Sequence, residues 1–479
     1  MIQAPSTIKS LSLSAVLLFL AMTSESQAGL PAGLATLLAQ RSVPPESLSV
    51  YIKQVGHSSP LVEHLAEVPR NPASTMKLVT TAAALELLGP DYRWTTGLFV
   101  DGKLKNGTLK GDLILKGGGD PWLVMQRFWL LLRELQQRGL QRVDGDLLID
   151  ASLYDDTAIA NQTVDGRIYR PYNTRPSAVL LNFAATLFRI RRIDHQLAVD
   201  VEPPAATLQI ENRLKPLSGK CGGRTRDISM DVVSQNRNQT TVRFSGTYPP
   251  ACGDHKRLRR VLPHHQYVYG VFRNLWQEMG GTLTGSWRPG PVPKNARLLV
   301  NFKSVPLAEV IKNINKFSNN VMSRNLLLTL AAEHAGIPAQ PARGIRVIRD
   351  WLQKAGLEDS GFVIINGAGL SRDARLTARG LGQLLEHMHF SPLAAEFKAS
   401  LPIAGTDGSV RRRFRGVGEK GQLRLKTGVL RNVRAIAGYV QTAPGKTWVV
   451  VLLHNHSSAE GASKLEIQEH LIRWLYQQK

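Results

Sequence analysis

Ser74-Thr75-Met76-Lys77 sets a hydroxyl and an amine three residues apart. On a helix, positions i and i+3 share a face, so the amine can reach the hydroxyl. A serine hydroxyl is a weak nucleophile until a base takes its proton. Lysine serves as that base only where burial or a nearby positive charge lowers its pKa. Lys426, in Lys426-Thr427-Gly428, supplies such a charge if the fold brings it close. Should Ser74 open its helix, its own N–H would point to where an oxyanion forms. Ser318-Asn319-Asn320 contributes a further hydroxyl and amide. Together these types point to acyl transfer through a serine, with no metal and no cofactor.

Two of the triplets recur by accident. Ser6-Thr7-Ile8-Lys9 repeats the first pattern and Ser234-Gln235-Asn236 the second, whereas Lys-Thr-Gly occurs once. Context therefore has to discriminate. Residues 47–55 have strand composition, and a second such stretch follows at 61–68. Residues 75–88, rich in Ala, Leu and Met, read as a helix stopped by Gly89-Pro90. At the other end, 421–427, 435–442 and 447–454 read as three successive strands, closed by a helix over 461–477. Lys426 and Thr427 are thus expected on a strand of an antiparallel sheet.

The middle of the chain has another texture. Residues 111–115 and 146–150 read as strands around a helix over 122–137. Gly117-Gly118-Gly119 lacks the Lys-Ser/Thr of a phosphate loop and reads as a turn. Residues 188–263 look like a small β-rich module that contains Cys221 and Cys252. Ser74 and Ser318 are 244 positions apart yet must meet at one site, so the intervening chain reads as an insertion.

The triplets, in this order and context, resemble the D-alanyl-D-alanine carboxypeptidase/endopeptidase family of low-molecular-mass penicillin-binding proteins, peptidase family S13. Longer strings carry the likeness further: Gly117-Gly118-Gly119-Asp120-Pro121, Tyr172-Asn173 with Leu181-Asn182-Phe183, Asn366-Gly367-Ala368-Gly369-Leu370-Ser371-Arg372, and Leu401-Pro402-Ile403-Ala404-Gly405-Thr406-Asp407-Gly408 followed by Arg411-Arg412-Arg413. Asn319 and Asn366 stand where Asp is common, Ala368 where Ser is frequent, and Ser323-Arg324 replaces a common Ala-Glu pair. The resemblance implies that Ser74 attacks the penultimate D-alanine carbonyl and Lys77 accepts its proton. It further implies that Ser318 relays a proton to the leaving amine and that Asn320 holds Lys77 and the substrate amide. Lys426, Thr427 and Gly428 would face the terminal carboxylate, and the N–H groups of Ser74 and Val429 would form the oxyanion hole.

As fold, the resemblance implies an α/β (α+β) transpeptidase/β-lactamase-like domain, an antiparallel sheet flanked by helices, with two nested inserted domains. The expected boundaries are a signal peptide over 1–28, a catalytic domain over 29–95 and 295–479, a second domain over 96–187 and 264–294, and a β-rich third over 188–263. Lys9, the short apolar run 11–22 and Ser26-Gln27-Ala28 read as an export leader, too short to span a bilayer. Export places the chain in the periplasm, where Cys221 and Cys252 either pair or remain as buried thiols.

Sixty Lys and Arg against 37 Asp and Glu leave a net charge of +23. That balance favours anionic partners, and envelope polymers or lipid head groups suit the compartment better than nucleic acid. The basic runs 189–192, 256–260 and 411–415 read as separate solvated faces without interleaved aromatics. His454-Asn455-His456 and His264-His265 read as solvent-facing residues rather than metal ligands. The resemblance implies peptidoglycan peptides and β-lactams as further partners. The competing readings are a serine β-lactamase and a non-catalytic cell-wall binder.

Overall fold

The computed structural model describes residues 29–160, 163–218, 221, 227–357, 361–418, 421–442, 446–460 and 465–478. The leader expected over 1–28 lies outside them. Leu423–Leu430, Val433–Gln441, Thr447–Asn455, Leu48–Gln54 and Val62–His64 form a five-stranded sheet in that spatial order, antiparallel throughout. The three late strands meander, and the early strand closes beside the last of them with Leu48 opposite His454. Thr447–Asn455 carries a run of Val and Leu buried on both faces, as a strand covered on two sides requires.

One face of that sheet packs on the terminal helices Ala32–Gln40 and Glu466–Tyr476, through Leu34, Leu38, Leu471 and Leu475 against Ile52, Ile436 and Leu452. The other face packs on a helical layer that includes Met76–Leu88, Leu307–Phe317, Asn320–Ala335 and Ala378–Phe390. Every residue from Met76 to Leu85 is buried. A helix that is apolar all round belongs inside a protein, and this one lies at the centre of the layer. Its polar members are satisfied locally: Thr81 Oγ1 donates to the Lys77 carbonyl, and Thr80 Oγ1 to that of Gly367, both at 2.7 Å. Gly89 then ends the helix at φ +80°.

Between these two halves of the sheet the chain builds three more. A seven-stranded mixed sheet contains Thr95–Lys105, Thr108–Lys116, Arg142–Val143, Leu147–Asp150, Thr282–Leu283, Trp287–Pro289 and Arg297–Lys303. The boundary expected at 294 falls just before a strand of this sheet. Arg297–Lys303 pairs antiparallel with Thr95–Lys105, so the returning segment shares a sheet with the outgoing one. The outgoing and returning legs run side by side, and pairing satisfies backbone groups that an open edge would leave exposed. Two three-stranded sheets follow: His255–Arg259, Thr186–Ile193 and Gln196–Glu202; and Ile228–Gln235, Thr240–Tyr248 and Leu208–Pro216. Phe188 and Phe244 from these share one core with Leu113, Leu147 and Phe272.

Two basic runs that look separate in sequence become neighbours, because Lys256 stands opposite Arg189 on paired strands. Cys221 and Cys252 are joined in a disulfide that spans 31 positions. In the chain-entropy account, opening a loop of this length costs about 3–4 kcal/mol. The double variant Cys221→Ser/Cys252→Ser should therefore lower the unfolding midpoint of the inserted region, read by urea denaturation, while acylation chemistry at Ser74 persists.

Candidate active site

Pro72 leads into a 3-10 turn, Ala73–Thr75, which runs directly into the helix Met76–Leu88. Ser74 was expected to open that helix, and it sits one turn earlier, in the tighter turn. Ala73 has φ +44°, a left-handed conformation that a non-glycine residue adopts only where its surroundings impose it. Asn71 does so. Its Oδ1 accepts from the Ala73 N–H at 2.9 Å, its Nδ2 donates to the carbonyls of Ser371 and Arg372, and its backbone exchanges two bonds with the Asn455 side chain. Two glycines allow the close approach of neighbouring chain. A Cβ on Gly369 would lie 1.7 Å from the Ala73 carbonyl oxygen, and one on Gly428 would lie 2.6 Å from that of Pro72. The glycine of Lys426-Thr427-Gly428 is thus where the strand and the Ser74 turn touch.

Lys77 is fully buried. Its Nζ lies 2.9 Å from Ser74 Oγ, 2.6 Å from Asn320 Oδ1 and 2.7 Å from the Ala368 carbonyl oxygen. The last two atoms can only accept. A neutral lysine, with two N–H bonds and one lone pair, would spend both hydrogens on them. Its lone pair is then left for the Ser74 hydroxyl, which is the arrangement a general base needs. Asn320 Nδ2 donates to the Tyr172 carbonyl at 3.3 Å, which fixes Oδ1 toward the lysine.

Ser318-Asn319-Asn320 forms the corner between two helices. Leu307–Phe317 ends at Ser318 in a left-handed conformation, φ 56° and ψ 38°, with the Asn319 N–H returning to the Ile314 carbonyl. Asn319 then caps the next helix, accepting from the Met322 N–H at 3.1 Å, and Asn320 is that helix's first residue. Asp caps as well as Asn does, so the departure at the middle position changes no role there. The Ser323 hydroxyl donates to the Gly367 carbonyl, and Arg324 Nη1 to that of Thr174. Asn366 shapes the loop that presents the Ala368 carbonyl, accepting from the Ala368 N–H and donating to the Leu370 carbonyl.

Lys426 is fully buried on the edge strand Leu423–Leu430, and its Nζ lies 3.0 Å from Ser318 Oγ. The Leu425 N–H bonds outward to the Pro402 carbonyl. Backbone direction alternates along a strand, so the N–H groups of Thr427 and Val429 face the same outer edge. Thr427 Oγ1 donates to Ser409 Oγ at 2.8 Å. Asp407 holds this loop in place: it accepts from the Ile403 N–H at 2.8 Å and pairs with Lys316, two residues before Ser318. Ser74, Lys77 and Asn320 are thus joined by hydrogen bonds, and so, separately, are Ser318 and Lys426, with the charge of Lys426 felt at Lys77 and with Thr427, Gly428 and Val429 along the outer strand.

Two ammonium groups share this enclosure. Burial holds Lys77 well below the ordinary lysine range, and the charge of Lys426 depresses it further. Burial brings Lys426 down to about 7. The sign for catalysis follows. A base must be neutral, so rate climbs as pH rises through the Lys77 titration. A cationic anchor for a carboxylate must be charged, so affinity falls as pH rises through the Lys426 titration. For a substrate ending in a free carboxylate, kcat/KM should fall above about pH 7, whereas acylation by a penicillin methyl ester should lack that falling limb.

Sequence reasoning missed the Ala368 and Tyr172 carbonyls, which are backbone atoms with no side-chain signal. It also missed Ser409, Asn71 and Asn455, which fall outside the three triplets. The histidine reading needs correction. His454 is buried, only 1% exposed, with Nε2 3.0 Å from Ser458 Oγ, because the five-stranded sheet covers the end of its strand. His264 and His265 are half-buried in the first turn of the helix His264–Glu278. No cluster of metal-ligating side chains occurs among the described residues.

Comparison with known proteins gives one family match, to the model of the D-Ala-D-Ala carboxypeptidase 3 (S13) family over residues 30–478. A D-alanyl-D-alanine carboxypeptidase of Actinomadura sp. (strain R39) is 27% identical over 408 residues, 83% of this chain and 75% of that protein. The D-alanyl-D-alanine carboxypeptidase DacB of Haemophilus influenzae is 25% identical over 400 residues, 82% of each chain. The crystal structure of penicillin-binding protein 4 from Haemophilus influenzae superposes with a TM-score of 0.78 at 22% identity, covering 94% of this chain and 100% of that one. At that identity the likeness speaks for the fold.

Proposed function

The chain belongs to the D-Ala-D-Ala carboxypeptidase 3 (S13) family and is a serine DD-peptidase, and from that premise we propose that Ser74 is its nucleophile and peptidoglycan stem peptides its substrate. One observation carries the assignment: Lys77 Nζ, buried between two obligate acceptors, has its remaining valence on Ser74 Oγ. In the forward step Ser74 Oγ bonds to the carbonyl carbon of the penultimate D-alanine while its proton passes to Lys77. The oxyanion sits between the N–H groups of Ser74 and Val429; losing one such donor typically costs about 10²–10³ in rate. Collapse breaks the C–N bond, and the Ser318 hydroxyl passes a proton to the departing amine, drawing on the ammonium of Lys77 or Lys426. Lys426, with Thr427 and Ser409 beside it, receives the terminal carboxylate. Water then attacks the ester, and Lys77 takes its proton in turn.

The same nucleophile opens a β-lactam ring, so β-lactams acylate Ser74. Peptidoglycan lies outside the cytoplasmic membrane, so this substrate fits an exported, periplasmic enzyme. The disulfide suits that compartment. For organisation we propose the nested arrangement expected from sequence, with the outer boundary moved past Lys303 so that Arg297–Lys303 stays with its sheet. The basic strands at Arg189 and Lys256 are the proposed contact for anionic envelope polymers or lipid head groups. Digestion of purified cross-linked muropeptides, with products identified by mass, tests substrate and bond together. Release of D-alanine or of uncross-linked monomers supports the reading, and intact muropeptides after long incubation oppose it.

A further inference from the structure

Four buried side-chain nitrogens without a hydrogen-bond partner gather around one cavity: Arg175 Nε, Arg260 Nε, His264 Nδ1 and His265 Nε2. The cavity measures about 490 Å³ and lies in the inserted region, against the strand Leu147–Asp150, the loop that follows it and the start of the helix His264–Glu278. Small-molecule sites typically run roughly 300–1,000 Å³. Much of the remaining wall is apolar, with Ile149, Ile159, Ala178, Pro263 and Pro289. Nothing in the chemistry at Ser74 uses this space.

Its electrostatics are one-sided. Arg175 Nη2 donates to the carbonyls of Asp156 and Ile159 at 2.7 and 2.8 Å, and Arg260 Nη2 to that of Ile168 at 3.0 Å. These bonds fix both guanidinium planes and leave each Nε–H unspent. Of the carboxylates at the wall, Asp150 already accepts from the N–H groups of Ser152 and Val292. Asp156 pairs with Arg175 at 3.1 Å but is 82% exposed, so water screens it. Among the described residues Arg260 has no ion pair. The helix His264–Glu278 also begins here with no side chain capping it, which adds its positive end. His264 donates from Nε2 to the Arg175 carbonyl at 3.0 Å. Burial and Arg260 hold this ring neutral, so its Nδ1 remains an acceptor for a hydroxyl or amide.

We propose that this cavity is a second binding site, for a small organic anion: a carboxylate or phosphate held by Arg175, Arg260 and the helix start, carried on an apolar or sugar-like body that fills the remaining volume. Its donor set fits either anion, and the probes distinguish the sources. N-acetylmuramic acid presents a carboxylate on a sugar, sn-glycerol 3-phosphate a phosphate on a polyol, and N-acetylglucosamine a sugar with no charge. Calorimetric titration of the Ser74→Ala protein keeps the reactive serine out of the reading. We expect saturable binding of at least one anion, no binding of N-acetylglucosamine, and at least tenfold weaker binding in Arg260→Gln. A crystal soaked with the binding anion should show its oxygens within hydrogen-bond distance of Arg175 or Arg260, a result independent of whether the variant folds. Absence of binding by both anions, equal binding of the uncharged sugar, or density located elsewhere overturns the proposal.

Discussion

Lys77→Met should slow acylation of Ser74 by about 10³-fold or more while the protein stays folded. Methionine nearly matches the lysine stem in volume and keeps the helix, so packing around residue 77 changes little. What disappears is the proposed base. General-base assistance is typically worth about 10²–10⁴, and among the described residues no other side chain is hydrogen-bonded to Ser74 Oγ. Two stability effects oppose each other. Asn320 Oδ1 and the Ala368 carbonyl lose their donor, at about 1–3 kcal/mol each for a buried unpaired acceptor. Against that, a buried amine whose charged form is disfavoured by burial is removed. The net change in unfolding free energy is expected to stay within a few kcal/mol, which a urea melt measures directly. Stopped-flow acylation with a chromogenic β-lactam, beside a urea melt, separates the two. A variant that acylates at the wild-type rate would remove Lys77 from the mechanism.

Gly369→Ala should be the most damaging single methyl group near the site. Gly369 has φ +69°, where an alanine costs about 1–2 kcal/mol. The larger cost is steric. The added Cβ would stand 1.7 Å from the Ala73 carbonyl oxygen and 2.9 Å from Met76 Cβ, where non-bonded atoms prefer roughly 3.5–4 Å. The nearest obstacle is backbone and cannot rotate away. The turn Ala73–Thr75 must therefore move, and it carries Ser74. A displacement near 1 Å costs about 10² in rate even far from the chemistry. Here it separates Ser74 from Lys77 directly, so we expect at least a 10²-fold loss of acylation together with a lowered melting temperature. Gly33→Ala is the comparison, because its Cβ would meet only the far end of the His470 ring. It should leave acylation unchanged.

Legibility in the sequence followed the kind of force involved. The helix at 75–88 and the three late strands were readable because burial on known faces writes itself into apolar patterning. Their ends moved by a few residues: the first late strand runs Leu423–Leu430, which brings Gly428 and Val429 onto it. The pairing of residues 297–303 with 95–105 was not readable, since long-range register leaves no local pattern. The positive φ at Ala73 left no trace either, because alanine is an ordinary residue and the strain is imposed by Asn71, Gly369 and Asn455. The third partner of Lys77 is the Ala368 carbonyl, and any residue supplies a carbonyl. Loops of this kind are legible only through the side chains that shape them, here Asn366, or through likeness to longer family strings.

The central claim is that Ser74, activated by Lys77, forms a covalent acyl-enzyme. Intact-protein mass spectrometry after brief exposure to benzylpenicillin, followed by peptide mapping, tests it most directly. The structure predicts one added penicilloyl group, located on the peptide that contains Ser74 and absent from Ser74→Ala. An unmodified wild-type mass, or an adduct that survives in Ser74→Ala, would contradict it.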